Sequence, residues 1–224
     1  MVSLIERPPV RGWLHVPPET PRGAVALAHG AGSDARSPIL MAAAEALCPA
    51  GWAVLRCDLP FRQLRPAGPP RPGDAPQDLA GLAAAARTLR ERFSGPCLLG
   101  GHSYGGRMAS LLAAADPAIA DALLLFSYPL HPPGKPERLR TAHFAQLRLP
   151  ALFLHGSRDP FGALGELESA LALIPAPALL LIVEGAGHDL GRGHKLHEAM
   201  SSLSAALDQF PCPTSAPSQS PGVE

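Results

Sequence analysis

The sequence predicts an α/β domain over residues 1–210: a doubly wound, mostly parallel sheet flanked by helices. Three observations predict it. Short uninterrupted apolar runs, among them 25–28, 97–101, 122–127 and 150–155, alternate with helical patterns along the chain. The runs lack polar alternation, as expected of strands buried on both faces. His29, Asp58, Ser103, Ser127, Asp159 and His188 each fall just after a predicted strand, so one carboxyl edge of the sheet collects the polar groups. That edge is where such sheets bind ligands.

The elements follow in order. Residues 10–16 read as a short edge strand, and 25–28 as a buried strand ending at His29-Gly30-Ala31-Gly32. Pro38, favoured in a first helical turn, starts a helix through Ala46, and Gly51 closes that segment. Residues 52–58 form the next strand. Residues 60–76, rich in proline and arginine, read as a long loop. Leu79, Leu82, Ala86 and Leu89 stand at three- and four-residue spacing, which gives a helix over 77–93. The central strand, 97–101, leads through a turn at Ser103 into a helix over 106–115. A strand at 122–127 precedes an irregular stretch, 131–149. A strand at 150–155, a helix at 163–173, a strand at 179–184 and a helix at 193–210 complete the domain. Residues 211–224 hold Pro, Ser, Thr, Gln and Gly and read as a disordered tail.

Composition narrows the function. The chain has 224 residues, 46% of them hydrophobic, enough for a sizeable core. Nineteen basic residues balance nineteen acidic ones, so no net field steers it toward nucleic acid or an anionic membrane. No apolar run approaches the ~18 residues of a membrane span. Residues 1–9 carry Glu6 and two prolines and no apolar leader core, so a cytoplasmic protein is expected. Cys48, Cys57, Cys97 and Cys212 show no C-x-x-C spacing and read as plain thiols. His188, His194 and His197 lack an acidic or thiol partner at ligand spacing; neither metal nor cofactor is expected.

The chemistry centres on Gly101-His102-Ser103-Tyr104-Gly105, a G-x-S-x-G run between a strand and a helix. A nucleophile elbow needs that setting, with small residues around a serine lifted above the sheet edge. A serine hydroxyl is a poor nucleophile until a base takes its proton. His188 is the candidate base and Asp159 the acid that fixes its tautomer. The order Ser, Asp, His is that of an α/β-hydrolase triad. Asp189 competes for the acid role. The backbone N–H groups of Tyr104 and Ala31 are the candidate oxyanion donors. Gly30 and Gly32 let the chain approach a substrate closely. With His29, His102 and Arg107 they form the candidate substrate contacts, although His29 also reads as a brace for its loop. Arg107, four residues after Ser103, suits a substrate carboxylate or an ion pair with Asp58. Arg62, Arg65 and Arg71 read either as contacts for an acidic substrate or as solvated loop residues.

Three segments together resemble the KANL3/Tex30-type α/β-hydrolase family, which is akin to small dienelactone-hydrolase-like enzymes. They are 28–34 (Ala-His-Gly-Ala-Gly-Ser-Asp), 100–107 (Gly-Gly-His-Ser-Tyr-Gly-Gly-Arg) and 155–162 (His-Gly-Ser-Arg-Asp-Pro-Phe-Gly). Residues 128–135 are similar to that family's segment after the strand that follows the nucleophile helix. The resemblance spans about residues 23–210 and implies a hydrolase with little or no lid, its triad on Ser103, Asp159 and His188. His102 stands where related proteins often carry Arg. The expected activity is cleavage of a small-molecule carboxylic ester or related acyl compound. A non-catalytic interaction module with a protein partner is the alternative. A dinucleotide reading of Gly30-Ala31-Gly32-Ser33-Asp34-Ala35, with Asp58 downstream, conflicts with a helix that waits until Pro38.

Overall fold

The aliphatic runs lie side by side in one eight-stranded sheet. The computed structural model describes residues 1–132 and 134–211, so Cys212 and the rest of the predicted tail lie outside the described residues. The strands are β1 (Val2–Arg7), β2 (Val10–His15), β3 (Gly23–Ala28), β4 (Trp52–Cys57), β5 (Cys97–His102), β6 (Ala122–Phe126), β7 (Ala151–Gly156) and β8 (Ala178–Val183). Their spatial order is β1-β2-β4-β3-β5-β6-β7-β8. All neighbours from β4 to β8 pair in parallel, and β2 runs antiparallel to both β1 and β4. The doubly wound, mostly parallel sheet is as the sequence predicts. Every residue of β3, β4, β6 and β7 is buried, which accounts for their largely apolar sequences, with Arg56 in β4 and His155 in β7 as buried polar residues.

Helices cover both faces. On one side α1 (Pro38–Leu47) and α6 (His194–Gln209) pack Leu40, Leu47, Met200 and Leu203 against Leu27, Val54 and Leu124. On the other, α3 (Ala75–Arg92), α4 (Tyr104–Ala115) and α5 (Leu164–Leu171) pack Leu82, Met108 and Leu167 against the alternate residues of the same strands. Ser37 caps α1, its Oγ accepting from Leu40 N–H at 3.4 Å, and Pro38 takes the first helical position.

Two elements depart from the sequence reading. β1 is an additional edge strand, half exposed along its length. The loop 60–76 begins with a short helix, α2 (Pro60–Leu64), which buries Phe61. Strand order reverses about β3: the chain goes outward to β4 and returns past β3 to β5. The loops after β3 and β5 therefore diverge and leave a crevice between them at the carboxyl edge, as open α/β sheets do at such a switch point.

Candidate active site

Ser103 is the hinge between β5 and α4, and its backbone is strained. It sits at φ 51° and ψ −114°, outside the regions open to ordinary residues. Neighbouring packing enforces that conformation. Gly101 has φ 149°, and a Cβ there would come within 2.1 Å of the Ala28 carbonyl oxygen; one at Gly105 would come within 2.4 Å of the same atom. Only glycine at both positions lets β5 and α4 close on β3.

Ser103, His188 and Asp159 are brought together in one hydrogen-bonded chain. Ser103 Oγ lies 2.9 Å from His188 Nε2, and His188 Nδ1 lies 2.8 Å from Asp159 Oδ2. The Asp159 side chain is fully buried just beyond β7, and its other oxygen accepts from Phe161 N–H at 2.8 Å. A carboxylate there requires Nδ1–H, which leaves Nε2 free to accept from the serine. Asp189 is not the partner: it is exposed, bonds to Gly191 N–H and lies 3.7 Å from Arg192. The His188 ring stacks on Phe161, centroids 4.1 Å apart and planes at 28°. Sequence reasoning passed over Phe161, because a single aromatic after Asp-Pro carries no periodic signal.

His102 lines the cleft, yet its ring is turned to the base. Its Nε2–H donates to the His188 carbonyl oxygen at 2.9 Å, and the two rings lie 5.0 Å apart. Burial, reinforced by the nearby His188, pushes its pKa down to about 4, so the ring is neutral. It holds the loop that carries His188.

The crevice loop after β3 is braced from beneath. His29 is wholly buried and does not reach the cleft, which corrects its place among the substrate contacts. Its Nε2 accepts from Leu59 N–H at 3.1 Å and its Nδ1–H donates to the Gly30 carbonyl at 2.8 Å. Burial pulls its pKa below the ordinary histidine value, consistent with a neutral brace. Arg62 belongs to neither alternative read from the sequence: it is buried, and its guanidinium donates to the carbonyls of Ala31, Ser33, Arg65 and Gly68. It ties the loop after β3 to the loop after α2. Arg65 pairs with Asp74.

Ala31 and Tyr104 both line the cleft beside Ser103, with Gly30 and Gly32. Neither backbone N–H donates a hydrogen bond among the described residues. Tyr104 opens α4, where the first N–H groups have no intrahelical acceptor. Its hydroxyl donates to Asp78 on α3 at 2.8 Å, which anchors the ring away from that N–H. Asp78 is buried and also accepts from Phe61 N–H.

The cleft measures about 630 Å³, within the range of small-molecule sites. Pro69, Pro70, Arg71 and Pro72 make one wall and Pro129, Phe161 and Arg140 the other. Of the irregular stretch 131–149, Arg140 alone borders the cleft among the described residues; residues 69–72 contribute more. Arg107 also lines it and does not pair with Asp58, which is held by Arg11 at 2.9 Å and by Ala35 N–H at 2.8 Å. His194 and His197 are not gathered with His188: they lie beside Glu198 and Glu45 on the exposed side of α6.

Residues 21–210 match the family model described as an alpha/beta hydrolase domain. Solved structures share the architecture. A dienelactone hydrolase from Anabaena variabilis aligns over 94% of this chain and 98% of its own, at 23% identity and a TM-score of 0.74. Est1E from Butyrivibrio proteoclasticus aligns over 93% and 98%, at 17% identity and 0.72. An alpha-beta serine hydrolase homologue from Coxiella burnetii aligns over 93% and 96%, at 17% identity and 0.69. At these identities the likeness to solved structures establishes the fold.

Proposed function

The chain belongs to the alpha/beta hydrolase domain family, and on that premise we propose that it is a serine hydrolase cleaving a carboxylic ester or related acyl compound. The observation that carries the reading is the unbroken Ser103–His188–Asp159 hydrogen-bond chain at the head of the cleft. In the proposed reaction Ser103 Oγ attacks the acyl carbon while His188 Nε2 takes its proton. Asp159 stabilises the resulting imidazolium. The carbonyl oxygen becomes an oxyanion held by the N–H groups of Ala31 and Tyr104. Collapse breaks the bond to the alkoxy group, which leaves with the proton from His188. Water then adds to the acyl-enzyme, again giving a proton to His188. Ser103 departs with that proton, and the acid product is released.

The open cleft, bordered by short loops, suits a small or exposed substrate. The motifs of 28–34, 100–107 and 155–162 support placement in the KANL3/Tex30-type branch. The reading takes the enzyme as cytoplasmic, supported by free thiols at Cys48, Cys57 and Cys97. Among the described residues no helix is long and apolar enough to cross a membrane.

Fluorophosphonate labelling read by intact mass tests the reading. One adduct is expected on the wild type and none on Ser103→Ala. Folded wild type that takes no adduct would overturn the hydrolase assignment and favour the interaction-module alternative.

A further inference from the structure

The cleft over Ser103 is lined by three arginines, Arg71, Arg107 and Arg140, and no carboxylate is among its lining residues. Asp159 lies outside it, engaged by His188 and the Phe161 N–H. Arg107 follows Ser103 by one turn of α4, its backbone N–H donating to the Ser103 carbonyl at 2.9 Å. Its Nε is buried with no hydrogen-bond partner. Among the described residues Arg107 forms no salt bridge; Asp58 pairs with Arg11, and Asp74 with Arg65. The Arg140 guanidinium donates one bond among the described residues, to the Pro129 carbonyl at 3.3 Å. Burial and the positive charge of Arg107 pull the Arg140 guanidinium below its ordinary value. His143 is pushed down to about 4 by burial and the same charge, so it stays neutral and adds no second positive charge beside Arg107.

Proteins bury charges in pairs, because an unmatched desolvated ion is costly. A guanidinium fork facing an acid-free cleft is half of such a pair. The fork fits a carboxylate through two parallel N–H bonds. We propose that Arg107, with Arg140 beside it, forms an anion subsite, and that the substrate is an ester bearing a free carboxylate. The proposal rests on the hydrolase reading of Ser103. One helical turn, about 5.4 Å of rise, separates the two residues, so a short hydrocarbon spacer would lie between carboxylate and scissile carbonyl. Pro69, Pro70 and Phe161 offer that spacer an apolar wall.

The test compares kcat/KM for mono-(4-nitrophenyl) glutarate with that for 4-nitrophenyl pentanoate, an ester of the same length without the charge. Wild type is expected to favour the glutarate ester by about tenfold or more. Arg107→Gln should remove most of that ratio, chiefly through KM, while Arg107→Lys, which keeps the charge and gives up the fork, should retain part of it. Thermal melts establish that each variant is folded. A binding arm needs no turnover: free glutarate titrated into Ser103→Ala should bind, and about tenfold more weakly once Arg107→Gln is added. A wild-type ratio near one, or a ratio untouched by both Arg107→Gln and Arg140→Gln, overturns the subsite and leaves the hydrolase standing. If neither ester is cleaved and no fluorophosphonate adduct forms, the hydrolase reading fails. The glutarate titration then decides the subsite by itself: binding that depends on Arg107 upholds it, and no binding overturns it.

Discussion

Ser103 keeps a backbone conformation that few serines adopt, and two hydrogen atoms hold it there: the α-hydrogens of Gly101 and Gly105 that face the Ala28 carbonyl. Gly105→Ala should therefore destabilise the protein by about 1–3 kcal/mol, measurable by urea unfolding, and reduce fluorophosphonate labelling in what remains folded. His102 acts on the chemistry through His188. With His102→Ala the loop loses its tie, and kcat should fall about 10–100-fold with a much smaller change in KM; a fall in KM affinity alone would contradict the positioning role. The G-x-S-x-G run and the residue order made Ser103, Asp159 and His188 readable from sequence, because the elbow constrains its neighbours so tightly. Arg62 was not readable, and Arg107 could be read only with two partners left open, a substrate carboxylate or Asp58. An arginine in a proline-rich loop looks solvated, and nothing in its spacing reveals four buried carbonyls. The partner foreseen for Arg107 was taken by Arg11, through an antiparallel pairing of β2 with β4 that spacing along the chain cannot express.

At the scale of elements, burial on both faces decided what could be read. β3, β4, β6 and β7 announce themselves as largely apolar runs because both faces are covered. β1 does not: it lies at the sheet edge and mixes Ser3, Glu6 and Arg7 with apolar residues. α2 was hidden because Pro60 suggests a loop, although proline is well suited to a first helical position. The consequence concerns the wall over the site. Arg62 fastens residues 65–68 to the loop after β3, and its removal leaves several carbonyls without a donor. Arg62→Met should cost about 1–3 kcal/mol in chemical denaturation and raise proteolytic cleavage within 65–72. Unchanged proteolysis would show that the wall is held by something else.

For the whole molecule, the charges balance at neutral pH, but His15, His29, His102 and His143 are held below the ordinary histidine value. Burial is the leading cause that pushes His15, His102 and His143 from 6.5 down to about 4. The fold holds all three neutral, so the unfolded chain binds the extra protons between these values. Their contribution to stability is present above pH 6.5 and is lost as the pH falls toward 4. Each contributes a slope of up to about 1.4 kcal/mol per pH unit in that window. Asp78, raised chiefly by burial, works in the opposite direction and offsets part of the loss. The melting temperature should fall clearly between pH 7 and pH 5, and His143→Gln should flatten that decline.

The shared carbonyl of Ala28 divides the molecule's labour. Through it the serine elbow and the first residues of the crevice loop are referenced to one strand end, by backbone contacts that contain no side chain to vary. On the hydrolase reading, the cleft's prolines and two of its arginines, Arg71 and Arg140, lie on loops that rest on this frame without forming it, while Arg107 stands on α4 within it. On that reading, bond breaking and the part of substrate choice made by those loops should be separable. Exchanging residues 69–72 for an unrelated loop should shift acyl preference while the rate of fluorophosphonate labelling stays put, which would make this small scaffold one whose diet can be rewritten without retuning its reaction.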